Sequence, residues 1–256
     1  MDGRVAIVTG AASGIGAEVV RVLAEQGAVV AAVDRDADGA RDVVAKLAVY
    51  GLRAEAFPAD VASAAEVEAV VEAVERQLGP IEYLVNAAGV LRMGEARDLS
   101  DQAWADTFAV NTTGVFLMSR AAVNRMAPRG KGAIVTVASN AAGTARAAMS
   151  AYAASKAAAT AFTKCLGLEV ARHGIRCNVV APGSTDTPML SSMFRDDADR
   201  RATLDGRLES YKVGIPLGKL ARPADIADAI TFLLSDRAGH ITMHSLTVDG
   251  GATLGV

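Results

Sequence analysis

Val5-Ala-Ile-Val-Thr9-Gly10-Ala-Ala-Ser13-Gly14-Ile15-Gly16 is the stretch whose reading decides the fold. A β-branched apolar run ends in a turn with three glycines. Ile15, Val19, Val22 and Leu23 then recur at helical spacing, and Gly27 is placed as the C-terminal stop. A strand therefore passes directly into a helix. Glycines at such a junction let the backbone turn tightly and approach a pyrophosphate, and the helix behind them presents unpaired N–H groups and the positive end of its dipole. A glycine turn alone is as often only a turn. Its place between the first strand and the first helix gives it weight.

The same alternation continues outward from this unit. Val29 to Val33 reads as a second strand, with a helix to about Ala48 and Gly51 beyond it, and Arg53 to Phe57 as a third. Ser63 and Glu66 form a capping box for a helix ending near Gly79-Pro80, and Tyr83 to Asn86 reads as a fourth strand. Helical stretches over about Asp101 to Thr112 and Thr113 to Ala127 precede a fifth strand, Ile134 to Ala138. A helix from about Ala151 to His173 stops at Gly174 before a sixth strand, Arg176 to Ala181. Pro223 opens a helix to Leu234, and Leu246 to Asp249 is the last strand. Strand and helix alternating in this way give βαβ units, whose right-handed crossovers put helices on both faces of a parallel sheet. The expected architecture is one α/β domain over residues 1–256, a Rossmann-type doubly wound parallel sheet. Asp186 to Tyr211 is polar and irregular and is expected to form a mobile lid rather than a second domain.

Composition agrees with this reading. The chain has 256 residues, 51% hydrophobic and 21% charged, enough for one sizeable core. Aromatics make up only 4%, so Ala, Val, Leu and Ile must fill the interior, which suits helices packed closely on a parallel sheet. A formal charge of -3 without any basic run argues against a nucleic-acid partner. No apolar run is long enough to span a bilayer, and Met1-Asp2-Gly3-Arg4 leads straight into the first strand. Neither a membrane partner nor a signal peptide is expected, and the expected location is the cytoplasm. Cys165 and Cys177 lack metal or redox spacing and are expected to be buried free thiols. His173, His240 and His244 are scattered and read as structural, and no metal site is expected.

The candidate site residues lie at the C-terminal strand ends. Gly10, Ser13, Gly14, Ile15 and Gly16 form the expected phosphate site. Asp34 follows the second strand, 18 residues after Gly16. A carboxylate there accepts hydrogen bonds from both ribose hydroxyls and repels a 2′-phosphate, so the expected cofactor is NAD, although Arg35 beside it is of the type that pairs with such a phosphate. Asp60-Val61 and Asn86-Ala87-Ala88-Gly89 end the third and fourth strands, where ligands bind in open α/β sheets; each alone is more often a turn. Tyr152 and Lys156, four apart on a helix, share one face, and Ser139 ends the fifth strand 13 residues before Tyr152. A free tyrosine, with a pKa of about 10, is a poor base at neutral pH. A nearby ammonium would lower that pKa, leaving Ser139 to hold the substrate oxygen. On its own, such a Tyr and Lys pair is an ordinary surface pair.

Taken together, Thr9-Gly10-x-x-x-Gly14-Ile15-Gly16, Asn86-Ala-Ala-Gly89, Asn111, Ser139, Tyr152-x-x-x-Lys156 and Pro182-Gly183-x-x-x-Thr187 resemble, in order and spacing, the short-chain dehydrogenase/reductase family over essentially the whole chain. The resemblance implies that Asn111 holds a water in a proton relay with Lys156. It implies that Lys156 also binds the nicotinamide ribose, and that Thr187 and the backbone near Thr185 position the carboxamide. Ala87 stands where many members have a second Asn. A homotetramer is implied as well; the Ala-rich face of Ala153, Ala154, Ala157 and Ala158 would allow close approach by another helix, although internal packing is an equally good use. Further segments, among them Val85 to Gly94, Met149 to Tyr152 and Gly214 to Gly218, are similar to bacterial members that oxidise 2,3-dihydro-2,3-dihydroxybenzoate to the catechol 2,3-dihydroxybenzoate, a siderophore precursor of secondary metabolism. Ser191 to Leu208 matches these least and is expected to cover the substrate.

A substrate carboxylate needs a cation. Arg92 and Arg146, in loops beyond the fourth and fifth strands, are the two candidates. Met93, Asn140, Met149, Met189, Met193 and Phe194 are candidates for the walls of a ring pocket, with core packing an equal use for the apolar ones. Three other functions are weighed against this one. The same chemistry on 2,3-dihydro-3-hydroxyanthranilate is not separated by the neutral Asn140. Reduction of 3-oxoacyl thioesters is opposed by Asp34. A non-catalytic dinucleotide sensor is opposed by the intact Asn111, Ser139, Tyr152 and Lys156.

Overall fold

The computed structural model describes residues 1–255. Its strands are β1 (Val5–Thr9), β2 (Val29–Asp34), β3 (Ala54–Pro58), β4 (Ile81–Asn86), β5 (Gly132–Val137), β6 (Ile175–Pro182), β7 (Gly206–Arg207), β8 (Lys212–Val213) and β9 (Ser245–Val248). Seven of them form one parallel sheet in the order β3-β2-β1-β4-β5-β6-β9, and β7 and β8 make a separate antiparallel ribbon. The chain runs outward from β1 in one direction and then from β4 in the other. The carboxyl ends of these neighbours splay their loops apart, and that divide is where ligands bind in such sheets.

The helices are α1 (Gly14–Glu25), α2 (Ala37–Ala48), α3 (Ala64–Gln77), α4 (Asp101–Phe108), α5 (Val115–Met126), α6 (Ser150–Val170), α7 (Pro188–Ser191), α8 (Asp197–Asp205) and α9 (Pro223–Leu234). The apolar runs of the strands are continuous because both faces of the sheet are covered. Ala6 and Val8 pack under α1 and α9 with Val19, Leu23, Ile226 and Ile230. Val5 and Ile7, pointing the other way, pack under α3 and α5 with Val70, Val74 and Met118. Among the described residues, no helix is long and apolar enough to cross a membrane.

The structure departs from the sequence expectations at five places. Strand ends move by one or two residues where a parallel partner continues the ladder, as when Asp34 pairs with Pro58 at the end of β2. The capping box of α3 is incomplete. The Ser63 hydroxyl accepts from Glu66 N–H at 3.4 Å, but the Glu66 carboxylate accepts from Asp60 N–H at 2.9 Å, because the Ser63 N–H already donates to the Asp60 carbonyl at 3.0 Å. The two helical stretches between Asp101 and Ala127 are one run, with a π-helical turn, Ala109–Gly114, between α4 and α5. This turn packs on the end of β3: a Cβ at Gly114 would come within 2.8 Å of Val61 Cγ2. Asp186 to Tyr211 is not irregular; it contains α7, α8 and β7. The helix α8 lacks an apolar stripe and is held instead by its N-cap, Asp196, which accepts from the N–H groups of Ala198 at 2.9 Å and Asp199 at 3.0 Å. Finally, Cys165 is exposed on the outer face of α6, and only Cys177 is buried, which pushes its thiol up to about 12.

Candidate active site

A cleft of about 340 Å³ opens at the divide between β1 and β4, lined by Gly10, Ser13, Gly14, Asp34, Asp60 and Ala88 among others. Two glycines make it possible. Gly10 has φ +68, and a Cβ there would sit 2.8 Å from the Ala88 backbone, so the β1 turn and the β4 turn approach with nothing between them. Gly16 lies under the same turn, and its Cβ would collide with the Gly10 carbonyl oxygen. The first helix therefore begins directly beneath the floor, with its N-terminal N–H groups free for an anion. The Asp34 carboxylate is held at the rim by Ala12 N–H at 3.0 Å and Asp36 N–H at 2.9 Å, with lone pairs left over for hydroxyl donors. Arg35, Val61, Ala87 and Gly89 also line the cleft. A side-chain-free turn, a helix start and a rim carboxylate fit a dinucleotide without a 2′-phosphate. Asn86 does not line it. Its amide is buried and donates to Ser119 at 3.0 Å and Thr136 at 3.4 Å, tying β4 to α5 and β5.

A second cleft, of about 450 Å³, joins the first along Ile15, Ala87, Gly89, Thr187 and Met189. Ser139, Tyr152 and Lys156 face it. The first turn of α6 sets Tyr152, and one turn later Lys156 follows it inward. Ser139, at the end of β5, is in hydrogen-bonding contact with the Tyr152 hydroxyl. Burial raises the Tyr152 pKa, and that contact opposes the rise. The ammonium of Lys156 lies 5.8 Å from the centre of the tyrosine ring and donates to the Val137 carbonyl at 2.8 Å. The lysine is 4% exposed, and burial pushes its pKa down to about 8. The expected lowering of the tyrosine pKa by the lysine is thus not what dominates here; desolvation of both groups is.

Asn111 sits in the π-helical turn and is fully buried. Its amide accepts from Val90 N–H at 2.8 Å, donates to the Val90 carbonyl at 2.9 Å and donates to Ser155 at 3.0 Å, so it locks the strand-end loop to α6. Gly89 leaves the space between Asn111 and Lys156 open: a Cβ there would lie 3.3 Å from the Lys156 ammonium and 3.4 Å from the Asn111 carbonyl oxygen. Pro182, Gly183, Thr185 and Thr187 line the far side. Gly183 is pressed against Asp249, whose Cβ lies 2.6 Å from where its own would be. Thr187 caps the short helix α7 by accepting from Leu190 N–H at 3.3 Å.

Of the substrate candidates, Met93, Asn140, Arg146, Met149, Met189, Met193 and Phe194 line the second cleft. Arg92 does not. It is exposed and donates to the neighbouring Leu91 carbonyl at 3.3 Å, because its loop turns outward there. Arg146 is half-buried, which lowers its pKa, and the charge of Asp249 works against that lowering. The loop behind it is bent at Ala148, with φ 58, which delivers the Ala148 carbonyl to Gly94 N–H at 2.9 Å. Two cations of this cleft, Arg207 and Lys212, escaped the sequence reading. They sit on the small ribbon β7–β8, which has no hydrophobic pattern to announce it.

The chain is 56% identical over 256 residues, covering 100% of itself and 98% of the relative, to the 2,3-dihydro-2,3-dihydroxybenzoate dehydrogenase of Bacillus subtilis. It is 45% identical over 248 residues, covering 97% of itself and 96% of the relative, to the protein of the same name in Escherichia coli. Among solved structures it resembles a gluconate 5-dehydrogenase from Burkholderia cenocepacia in complex with NADP and tartrate, with TM-score 0.92 and 32% identity, covering 100% of this chain and 97% of that one. Residues 4–198 match the model for short chain dehydrogenases. A match of that extent, with relatives this similar over the full length, means that the chain belongs to the short-chain dehydrogenase/reductase family.

Proposed function

We propose that this protein oxidises 2,3-dihydro-2,3-dihydroxybenzoate to 2,3-dihydroxybenzoate with NAD. The observation that carries the reading is the cleft that holds Ser139 and Tyr152 and, in the same wall system, the cation Arg146. A ring that carries both an alcohol and a carboxylate needs such a pair, and the Bacillus subtilis and Escherichia coli relatives bear the name of this activity.

Gly10, Ser13, Gly14, Ile15 and Gly16 would hold the NAD pyrophosphate, and Asp34 the adenine-side ribose. Asp60 to Val61 and Ala87 to Gly89 would border the adenine side, with Pro182 to Thr187 at the nicotinamide and Lys156 at its ribose. When bound, NAD supplies the hydride acceptor. Tyr152 takes the proton of the substrate's C3 hydroxyl, and Ser139 steadies that oxygen. Burial favours the neutral phenol, so the positive charge of Lys156 and the Ser139 hydrogen bond are what make the phenolate reachable. Asn111, across the space that Gly89 leaves open beside Lys156, would hold a water in a proton relay with that lysine. The dienone product tautomerises to the catechol, and its aromaticity drives the overall oxidation forward. The protein need only position the ring.

The segment 186–211 acts as the lid over this ring. The reaction belongs to siderophore production in the cytoplasm, and the working assembly is a homotetramer. The test is product formation: NAD with 2,3-dihydro-2,3-dihydroxybenzoate should give NADH and 2,3-dihydroxybenzoate in equal amounts. Failure of both to appear, with turnover of 2,3-dihydro-3-hydroxyanthranilate in their place, overturns the hydroxybenzoate assignment and leaves the family chemistry standing.

A further inference from the structure

Besides Lys156, three cations line the cleft, Arg146, Arg207 and Lys212, and they are not equivalent. Arg207 donates to the Asp199 carboxylate at 3.1 Å, so its charge is met. Arg146 feels the charge of Asp249. Lys212 is half-buried, and the charges acting on it are those of Arg146 and Arg207, both positive; together with burial they lower its pKa. Among the described residues, no carboxylate forms an ion pair with it; the nearby acid, Asp199, is taken by Arg195 at 2.9 Å and Arg207 at 3.1 Å. A cation drawn partly out of water beside two others is unfavourable unless an anion joins it.

The backbone holds this cation in place. Lys212 and Arg207 are directly paired across the β7–β8 ribbon. Gly206 starts the ribbon at φ +92, with the Lys212 carbonyl 2.7 Å from where its Cβ would be, and Ile215 N–H closes the ribbon base on the Leu204 carbonyl at 2.7 Å. The ammonium is therefore carried by a built element that faces the same cavity as Ser139 and Tyr152.

We propose that Lys212 is the principal carboxylate-binding residue of the cleft, with Arg146 as its flanking cation. The inference rests on the reading of the substrate as a ring carboxylate. With an anion bound, the repulsion among Lys212, Arg146 and Arg207 is relieved. A substrate without the carboxylate would leave Lys212 without a counter-charge beside Arg146 and Arg207, of which only Arg207 is ion-paired, to Asp199, which makes the cluster a discriminator as well as an anchor.

The test is equilibrium binding of 2,3-dihydroxybenzoate and of 2,3-dihydroxybenzamide to the full-length enzyme saturated with NAD. The unaltered enzyme should prefer the carboxylate. Lys212→Met should weaken carboxylate binding roughly 10- to 100-fold and leave the amide unchanged. Lys212→Arg, which keeps the charge, should lose less. NAD affinity, which does not involve this residue, checks that each variant is folded. If the unaltered enzyme prefers the carboxylate and Lys212→Met binds it equally well, the Lys212 proposal is overturned and the ring-carboxylate reading survives. An equal loss of acid and amide in Lys212→Met also overturns it, since that is the signature of lost packing. If the unaltered enzyme does not distinguish the acid from the amide, the ring-carboxylate reading fails and the proposal falls with it.

Discussion

Lys156 brings a positive charge into a site where it is 4% exposed, with a single carbonyl as its hydrogen-bond partner. Such a group is tolerated for chemistry rather than for stability. Its pKa falls from 10.5 to about 8, so the ammonium penalises folding fully below about pH 8, and the penalty fades as pH rises toward 10.5. Lys156→Met keeps the volume of the side chain and removes the charge. We expect it to stabilise the cofactor-free protein by about 1–3 kcal/mol at pH 7, with the gain shrinking at alkaline pH, while turnover is lost. Thermal unfolding at pH 7 and pH 10 measures this, and a destabilised variant at pH 7 would refute it. Two backbone N–H groups hold the Asp34 carboxylate at a fixed place on the cleft rim, where its proposed role is exerted by charge. Asp34→Ser should cut the preference for NAD over NADP about 10-fold or more by removing the repulsion of a 2′-phosphate. Ratios of kcat/KM for the two cofactors decide it, and equal efficiency with NADP in the unaltered enzyme would count against the assignment.

At the scale of elements, the β1–α1 junction shows tertiary packing overriding local preference. Alanine is the better helix former, so Gly16→Ala would stabilise this helix in isolation. In the protein its Cβ runs into the Gly10 carbonyl oxygen. The collision can be relieved only by moving the turn that is proposed to hold the phosphates. We expect Gly16→Ala to lose about 1–3 kcal/mol of stability and to weaken NAD binding together, as read by denaturant unfolding and cofactor titration. An unchanged NAD affinity would show that the turn does not depend on this contact. The π-helical turn at Ala109–Gly114 is of the same kind. Its extra width aims Asn111 at Val90 and Ser155, and nothing in a helical hydrophobic period marks it in advance.

For the whole molecule, the exposed surface bears on assembly. Trp104, Phe116 and Leu168 are exposed on α4, α5 and α6, which pack together on one side of the sheet, and the small side chains of Ala153, Ala154, Ala157 and Ala158 lie on the same α6. Large apolar residues in such company mark a contact surface, and closed symmetric assemblies are the usual outcome. The expected mass by light scattering at micromolar concentration is four times the 26.3 kDa of the chain. A single-chain mass would refute the tetramer.

The sequence by itself determined the features that arise from period and local chemistry. The strand runs, the helix between Pro223 and Leu234, the glycine turn and the Tyr152 and Lys156 pair are legible because their signals lie within a few residues of one another. Asp34 was readable for the same reason, as an acid at the end of a strand. The tertiary structure alone decided where side chains point and what shares a cavity. It turned Asn86 into the core and Arg92 into solvent, although both stand close in the chain to residues that line the clefts. It also brought Lys212 across to Ser139, 73 residues earlier in the chain, through a two-residue ribbon too short to carry a pattern. Hydrophobic periodicity reports which face of an element meets the core; it carries no information about which loops meet over the end of a sheet, because that is settled by strand order and by packing between distant segments.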